Sequence, residues 1–496
     1  MESKENKEET KYIREKEEKE EKEGKEKKLE KEETEKEETE KEEKEKKEEE
    51  NKENEENGEE EEIELNDEKK NKIKTRTDYD QENVEKKVLQ LLEEADFYTK
   101  YSEDFKGDAE YYRLAHYNFA KKLITSLPNG YSSLDSGFPW FTYWITNIIA
   151  MCKDNYDLSY DQKFQFVQVL KELQHKDGGF TGSPKGFAHL IATYAAIMSI
   201  VNLGIEEAYD IVDIPKMKNF LLKMKNNNFD IDKKPSYTDK NGVYLITRNT
   251  EGDFISYHTA FPGTFQNHIN GESDLRSTYC AMTTASVLNL INWNDITNDP
   301  LTKRVVENIK NCQTFEGGLG PEPYCEAHGG YSYCGIATLV LLNKLYEIDV
   351  NSFLRWLVNR QMTQEGGFNG RTNKLVDSCY SFWQGSIFNM LYMADNKFSN
   401  DMELLYDQLS LQAYIIFACQ NTKSGGLVDK PGKSPDLFHT NYATAGLALS
   451  QECQIENCKV ALNVKLDKIF EKVNPIYCTT DEKVKKAIKY YAEKNK

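Results

Sequence analysis

Hydrophobic residues are almost missing from the first 60 positions, where Met1, Tyr12, Ile13 and Leu29 stand alone. A segment so poor in apolar surface cannot offset the entropy of ordering itself. Residues 1–66 hold 32 Glu against 17 Lys or Arg, so most of the chain's formal net charge of -20 sits there. Glu and Lys form helices well and offer many i,i+4 pairs, but no apolar stripe is present to meet a partner. Residues 1–80 are therefore expected to be a low-complexity, disordered tail, and residues 81–496 to fold.

Other absences narrow the function. Basic residues are nowhere clustered, which argues against nucleic-acid binding by counterion release. No apolar run is long enough to span a bilayer, and the start lacks the apolar core of a secretory signal. None of the ten cysteines forms a CxxC pair. Without a secretory signal they read as reduced, mostly buried thiols, and the expected compartment is the cytoplasm. Strand signals are few.

What is present is a repeat. The phrase recurs as HKDGGF (175–180), TEGDF (250–254), FEGGLG (315–320), QEGGF (364–368) and KSGGL (423–427). Gln174, Gln313, Gln361 and Gln420 precede four of these by a few residues. Before each lies an amphipathic helical stretch, such as Phe164–Leu173. After each comes a stretch apolar almost all round: 189–201, 276–291, 331–345, 379–393 and 441–450, with 140–152 in the same role. A helix apolar on every side must be buried on every side. Helix pairs of this kind stack into a solenoid or close into a ring, and six of them predict an α6/α6 barrel. The glycines are expected to turn the chain from outer to inner helix. The polar stretches 226–250 and 255–270 read as surface insertions. Parallel inner helices would aim several positive dipole ends at one cavity, which suits an anion.

The unusual residues sit at the starts of these inner helices. Asp377 and Cys379 can converge at a helix N-terminus, where the dipole favours a thiolate. His439 holds the corresponding place in the next repeat. One oxygen, one sulfur and one nitrogen ligand with a free fourth position describe a catalytic zinc site. Alone, an Asp-x-Cys pair and a His are weak signals. Their company is stronger: His328, Arg371, Lys374 and Lys433 fall at the same barrel end, and cations beside a metal suit a phosphate-bearing substrate.

Long stretches of the chain resemble protein farnesyltransferase β subunits. They are PWFTYW (139–144), HLIATYAA, DLRSTYCA (274–281), EAHGGYSYCG (326–335), RTNKLVDSCYSFWQGS, GGLVDKPGKSPDLFHT (425–440) and the ending NPIYCTTDEKVKKAIKYYAEK (474–494). The resemblance implies zinc on Asp377, Cys379 and His439, and catalysis that also involves Tyr380 and Lys374. It implies a diphosphate pocket of His328, Arg371, Lys374 and Tyr380, with Mg2+ held at Asp429. Trp140, Trp144, Tyr194, Arg276, Tyr279, Tyr331, Trp383 and Phe438 would line the isoprenoid and CaaX cavity. The implied partners are an α subunit in an obligate heterodimer, farnesyl diphosphate, and CaaX-terminated proteins such as small GTPases. From the residues alone the aromatics are equally ordinary barrel core, and Arg276 could simply pair with Asp274 or Glu272.

There are departures. Phe438 stands where the family usually has Tyr, and Ser378 where it has Gly, while 226–250 and 255–270 are extra. The nearest rival is a geranylgeranyltransferase β subunit, disfavoured by Trp140 and Asp429. A triterpene cyclase would need an Asp-rich proton-donor motif that is missing here. A non-catalytic peptide-binding scaffold has no use for the Asp377, Cys379 and His439 set.

Overall fold

The computed structural model describes residues 74–95, 110–125, 127–152, 157–225, 262–395, 405–452 and 470–494, with short backbone strands between 238 and 258. The expected tail through residue 73 lies outside these. Helix α1 (Arg76–Glu94) places the expected 80/81 boundary inside a helix and buries Val84, Val88 and Leu92 along one face.

Among the described residues the chain then makes six pairs, each an outer helix followed by an inner one. They are α2 (Arg113–Lys122) with α3 (Phe138–Met151), α4 (Tyr160–Leu173) with α5 (Leu190–Leu203), and α6 (Ile214–Met224) with α7 (Leu275–Val287). Next come α8 (Val305–Asn311) with α9 (Gly329–Leu341), and α10 (Val350–Val358) with an inner helix broken into α11 (Tyr380–Trp383) and α12 (Gly385–Ala394). The last pair is α13 (Gln408–Ala413), continued by a π turn to Ala418, with α14 (Leu437–Ser450). The break at Gln384 corrects the continuous helix expected over 379–393. Inner helices touch in the order α3, α5, α7, α9, α11 and α12, α14, and α14 returns to α3, so the ring is closed.

The two helix classes bury as their patterns require. Outer α10 buries Val350, Phe353, Trp356 and Leu357, a single face. Inner α5 buries every residue except Ile191. Inner α3 leaves only Phe138, Trp140 and Trp144 incompletely buried, and α14 only Phe438 and His439. Most of these exceptions are candidate site residues.

The repeated glutamines clasp one repeat to the next. Gln313 donates from Nε2 to the carbonyls of Gly317 (3.0 Å) and Asp349 (2.9 Å), and its Oε1 accepts from Asp349 N–H. Gln361 does the same with Gly366 and Asp407. Gln420 accepts from Tyr112 N–H and donates to the Glu110 carbonyl, which closes the outer ring just before α2. The positive-φ glycines make the same junction from the other side. A Cβ on Gly178 would stand 2.1 Å from the Lys216 carbonyl oxygen, and one on Gly425 2.1 Å from that of Ala115. Only glycine permits both the conformation and the approach.

The second repeat differs from expectation. Lys225 bridges Phe265 as Gln174 bridges Phe180, so the unit turns at Gly263, Thr264 and Phe265 rather than at TEGDF. TEGDF lies outside the described residues except for the backbone of Phe254. The stretch 262–270 therefore belongs to the repeat itself, and the backbone before it includes short strand pairs. Lys225 Nζ donates to the carbonyls of Gly263 (3.2 Å) and Leu301 (2.8 Å), in place of the usual amide.

One end of the barrel is sealed by the segment leading to α15 (Asp481–Lys494). The carbonyl of Cys478 accepts from Tyr143 (2.8 Å) and Asn147 (2.7 Å), that of Ile476 from Tyr279 (2.8 Å), and that of Pro475 from Tyr333 (3.0 Å). No described helix is long and apolar enough to cross a membrane.

Candidate active site and metal centre

At the other end the inner helices begin, and their cap residues build the site. Asp436 caps α14 through its Oδ1, which accepts from His439 N–H at 2.8 Å. Its Oδ2 lies 2.6 Å from His439 Nδ1 and holds the ring so that Nε2 faces Asp377, 3.4 Å away. In the neighbouring repeat Asp377 accepts from Cys379 N–H at 2.8 Å. Cys379 is the N-cap residue of α11 rather than part of its first turn. The ligand atoms of Asp377, Cys379 and His439 lie within 4.8 Å of one another, and no other such group occurs among the described residues.

This donor set fits a metal cation on its charges as well as its geometry. Burial, with the negative charge of Asp377, pushes the Cys379 thiol well up. Burial would lower the His439 imidazole, but hydrogen bonds and charge from Asp377 and Asp436 outweigh it and draw it up to about 10. Asp377 is itself held low by His439 against its burial. Two acids and a thiol thus converge on one imidazole, and a thiol proton and an imidazolium proton occupy positions that a divalent cation would displace. Asp436 supplies a carboxylate that orients the His439 ring, as such carboxylates do for ligating histidines, a role the sequence alone had not given it.

Beside the triad lie His328, Tyr380 and Arg371. His328 caps α9, and its Nδ1 accepts from Gly330 N–H at 3.0 Å. Burial and the nearby Arg371 charge lower His328 to about 4, so near neutral pH its proton sits on Nε2. That Nε2 is 3.0 Å from Tyr380 Oη, which accepts the bond and leaves the Tyr380 hydroxyl proton for another acceptor. Arg371 pairs with Glu326 at 2.8 Å. Lys374 and Lys433 stand exposed on the same rim. Arg276 is gripped by Asp274 (Nη2 to Oδ2, 2.6 Å) with its guanidinium 5.4 Å from the Tyr331 ring centre, which settles the choice between Asp274 and Glu272.

Inside, eight aromatics from the six inner helices close a belt, with two each from α3 and α14. Ring centres step from Trp140 to Tyr194 (6.0 Å), Tyr279 (5.3 Å), Tyr333 (5.3 Å), Trp383 (5.1 Å) and Tyr442 (4.2 Å). They return through Phe438 (4.8 Å) and Trp144 (5.8 Å) to Trp140 (5.5 Å). Hydroxyls of Tyr194, Tyr279 and Tyr333 are bonded in series at 3.1 Å each. Tyr331 stands outside this series of rings, with its ring centre 5.4 Å from that of His328. Tyr333 and Tyr442 were missed. Counting from the caps finds Tyr333, since Tyr194, Tyr279 and Tyr333 each lie five residues after His189, Asp274 and His328.

Residues 112–479 match the family described as the prenyltransferase alpha-alpha toroid domain. The chain is 30% identical over 396 residues to protein farnesyltransferase subunit beta of Arabidopsis thaliana, covering 68% of this chain and 73% of that one. It is 32% identical over 345 residues to the Schizosaccharomyces pombe subunit of the same name, covering 69% and 79%. Among solved structures it superposes on Candida albicans protein geranylgeranyltransferase-I complexed with GGPP, with a TM-score of 0.57, 22% identity, and coverage of 77% of this chain and 99% of that one. A ring of six inner helices, a cluster of Asp, Cys and His donors at their N-termini and a match across most of the chain agree: the chain belongs to the protein farnesyltransferase β subunits, prenyltransferases built on an α-α toroid.

Proposed function

We propose that the chain is the catalytic β subunit of a zinc-dependent protein farnesyltransferase, working in the cytoplasm as a heterodimer with an α subunit. Its reaction joins the cysteine sulfur of a C-terminal CaaX motif, in small GTPases and other proteins, to C1 of farnesyl diphosphate. The S–C1 bond forms, the C1–O bond breaks, the thiol proton leaves to solvent, and diphosphate departs with the electron pair. The observation that carries this reading is the meeting of the Asp377, Cys379 and His439 donors at the inner-helix starts, with the Tyr380–His328 pair and a belt of aromatics on the same helices.

One oxygen, one thiolate and one imidazole fit zinc, which when bound supplies an acceptor thiol deprotonated near neutral pH. The charges of Asp377 and Cys379 balance that ion, so the thiolate stays electron-rich. Tyr380 donates its free hydroxyl proton to the leaving diphosphate, oriented by His328 Nε2. Arg371 and Lys374 meet the same charge from the rim, and Asp429 offers a carboxylate for Mg2+. The aromatic belt holds the isoprenoid and excludes water. Trp140, against Tyr194 and Trp144, narrows the space and supports a fifteen-carbon donor over a twenty-carbon one.

The test is co-expression with an α subunit, then transfer assays with farnesyl and geranylgeranyl diphosphate on two peptides differing at X. The farnesyl donor should be used with the higher kcat/KM. Equal or better use of the geranylgeranyl donor would move the assignment to the rival transferase.

A further inference from the structure

One small structure recurs where the inner helices begin. Ahead of α5, α7, α9, α11 and α14 a four-residue turn is closed by an N–H to carbonyl bond. The bonds run from Gly186 to Ser183 (3.0 Å), Gly271 to His268 (2.9 Å), Cys325 to Glu322 (3.3 Å), Lys374 to Arg371 (3.3 Å) and Lys433 to Lys430 (3.2 Å). The third residue of every turn has a positive φ, between 58° and 90°. This is the pattern of a type II turn, where proline suits the second place because its ring fixes the φ required there. Three of the turns have it, as Pro184, Pro323 and Pro431. Ile269 fills that place in another, and Thr372 fills it in the turn that carries Arg371 and Lys374.

Thr372 holds its turn by hydrogen bonds instead of a ring. Its Oγ1 accepts from Arg360 Nη1 at 3.0 Å and donates to Glu316 Oε2 at 2.9 Å. Arg360 lies just after α10, buried, with its guanidinium 5.6 Å from the Trp356 ring centre and its Nε without a partner among the described residues. Glu316 comes from the preceding repeat, and its charge partly offsets the cost of burying the guanidinium. Asn369 ties the same two parts together. Its N–H donates to the Arg360 carbonyl at 2.9 Å, and its Nδ2 to the Lys374 carbonyl at 3.1 Å. The turn starts against Tyr380. A Cβ on Gly370 would stand 2.1 Å from Tyr380 Oη, and the Gly370 carbonyl accepts from Gly329 N–H at 2.9 Å, next to His328.

We propose that Arg360, Thr372 and Glu316 form a clamp that positions Arg371 and Lys374 for the donor's diphosphate, in place of the proline that holds the equivalent turn in other repeats. Two long cationic side chains on one fixed turn lose less freedom on meeting one anion than two on a loose loop. None of the three clamp residues meets the reacting atoms, so they are positioning residues. The inference rests on Arg371 and Lys374 meeting the diphosphate in the proposed reaction, and adds what holds them there.

The experiment uses the full-length chain co-purified with an α subunit. It measures the affinity for farnesyl diphosphate, the affinity for inorganic diphosphate as its competitor, and KM for a CaaX peptide. Thr372→Val removes both hydroxyl bonds. It should weaken farnesyl diphosphate and inorganic diphosphate by the same factor, about threefold to tenfold, with the peptide KM within about twofold of wild type. Thr372→Pro restores a fixed turn by other means and should bring both affinities back to within about twofold of wild type. Should either variant fail to fold, Arg360→Met is added to it, because removing both partners of a buried bond costs far less than orphaning one. Arg371→Ala checks the reading beneath, and wild-type diphosphate affinity in that variant overturns it. With Arg371→Ala weakened, unchanged diphosphate affinity in Thr372→Val overturns the clamp alone. A loss for farnesyl diphosphate that inorganic diphosphate does not share also overturns it. So does a Thr372→Pro protein as weak as Thr372→Val, since the hydroxyl would then act otherwise than by holding the turn.

Discussion

Replacing Lys225 by glutamine should stabilise the protein at neutral pH, and the gain should shrink as pH rises. Lys225 occupies the place of the clasp glutamines, but an ammonium cannot accept a hydrogen bond. The Leu301 N–H, which in this seam corresponds to the N–H groups of Asp349 and Asp407, donates instead to Asp299 Oδ1 at 2.8 Å. Lys225 and Asp299 thus divide between them the donor and acceptor of one amide, and both are buried. Burial, only partly countered by the charge of Asp299, lowers Lys225 from 10.5 to about 7. In the unfolded chain the lysine keeps its proton up to its ordinary value. Below about pH 7 both states are protonated and stability carries the full penalty without a slope. From about pH 7 to about 10.5 only the unfolded state holds the proton, so wild-type stability rises with pH at about 1.4 kcal/mol per unit. At pH 7 the penalty is on the order of 4 kcal/mol, and by pH 9 about 2 kcal/mol of it is gone. Glutamine at 225 removes this term while keeping two N–H donors for Gly263 and Leu301. Some gain is lost because Asp299 no longer has its cation. The assay is denaturant unfolding of both proteins at pH 7 and pH 9. The difference between them should narrow by about 2 kcal/mol over that interval. A constant difference would show that Lys225 keeps an ordinary proton affinity and that the seam does not work as argued.

Other outcomes follow from the site. Trp140→Thr opens room beside Tyr194, and with about 0.8 kcal/mol for each CH₂-sized group newly buried it should shift the kcat/KM ratio toward geranylgeranyl diphosphate by at least about tenfold. An unchanged ratio with lower stability would make Trp140 plain core. Asp429→Lys should flatten the rise of rate with Mg2+ without abolishing transfer, because a fixed positive charge then sits near the leaving diphosphate; identical Mg2+ curves would refute the assignment. Deleting residues 1–66 should leave turnover near wild type with the α subunit present, and a large fall would give the acidic tail a part in catalysis.

The ring was legible because its joints demand particular residues. Glycine alone allows the approach of Gly178 to the Lys216 carbonyl, so the repeat keeps it and the sequence displays it. The clasp amide is less strictly specified. Lys225 with Asp299 does its work 74 positions apart, so the second repeat hid its register and TEGDF was mistaken for its turn. The residue types of the triad were a weak signal alone, and it was the resemblance that singled out the three donors that the fold gathers within 4.8 Å. Asp436, which orients His439, reads as a routine helix cap in sequence, and its second role appears only from the 2.6 Å contact with Nδ1. Tyr333 does not stand out in sequence, because a residue's direction around a helix depends on where the helix begins, and the start at His328 shows only in the folded chain. The break at Gln384 carries no proline or glycine of its own, and only Gly385 after it hints at a weak point.

The most direct test of the account is the metal content and single-turnover rate of Cys379→Ala beside wild type, each purified with an α subunit. The account predicts one zinc per wild-type β subunit. In the variant, zinc affinity should fall at least about tenfold and farnesyl transfer should be lost, with the helical content intact. Stoichiometric zinc and full transfer in Cys379→Ala would contradict it.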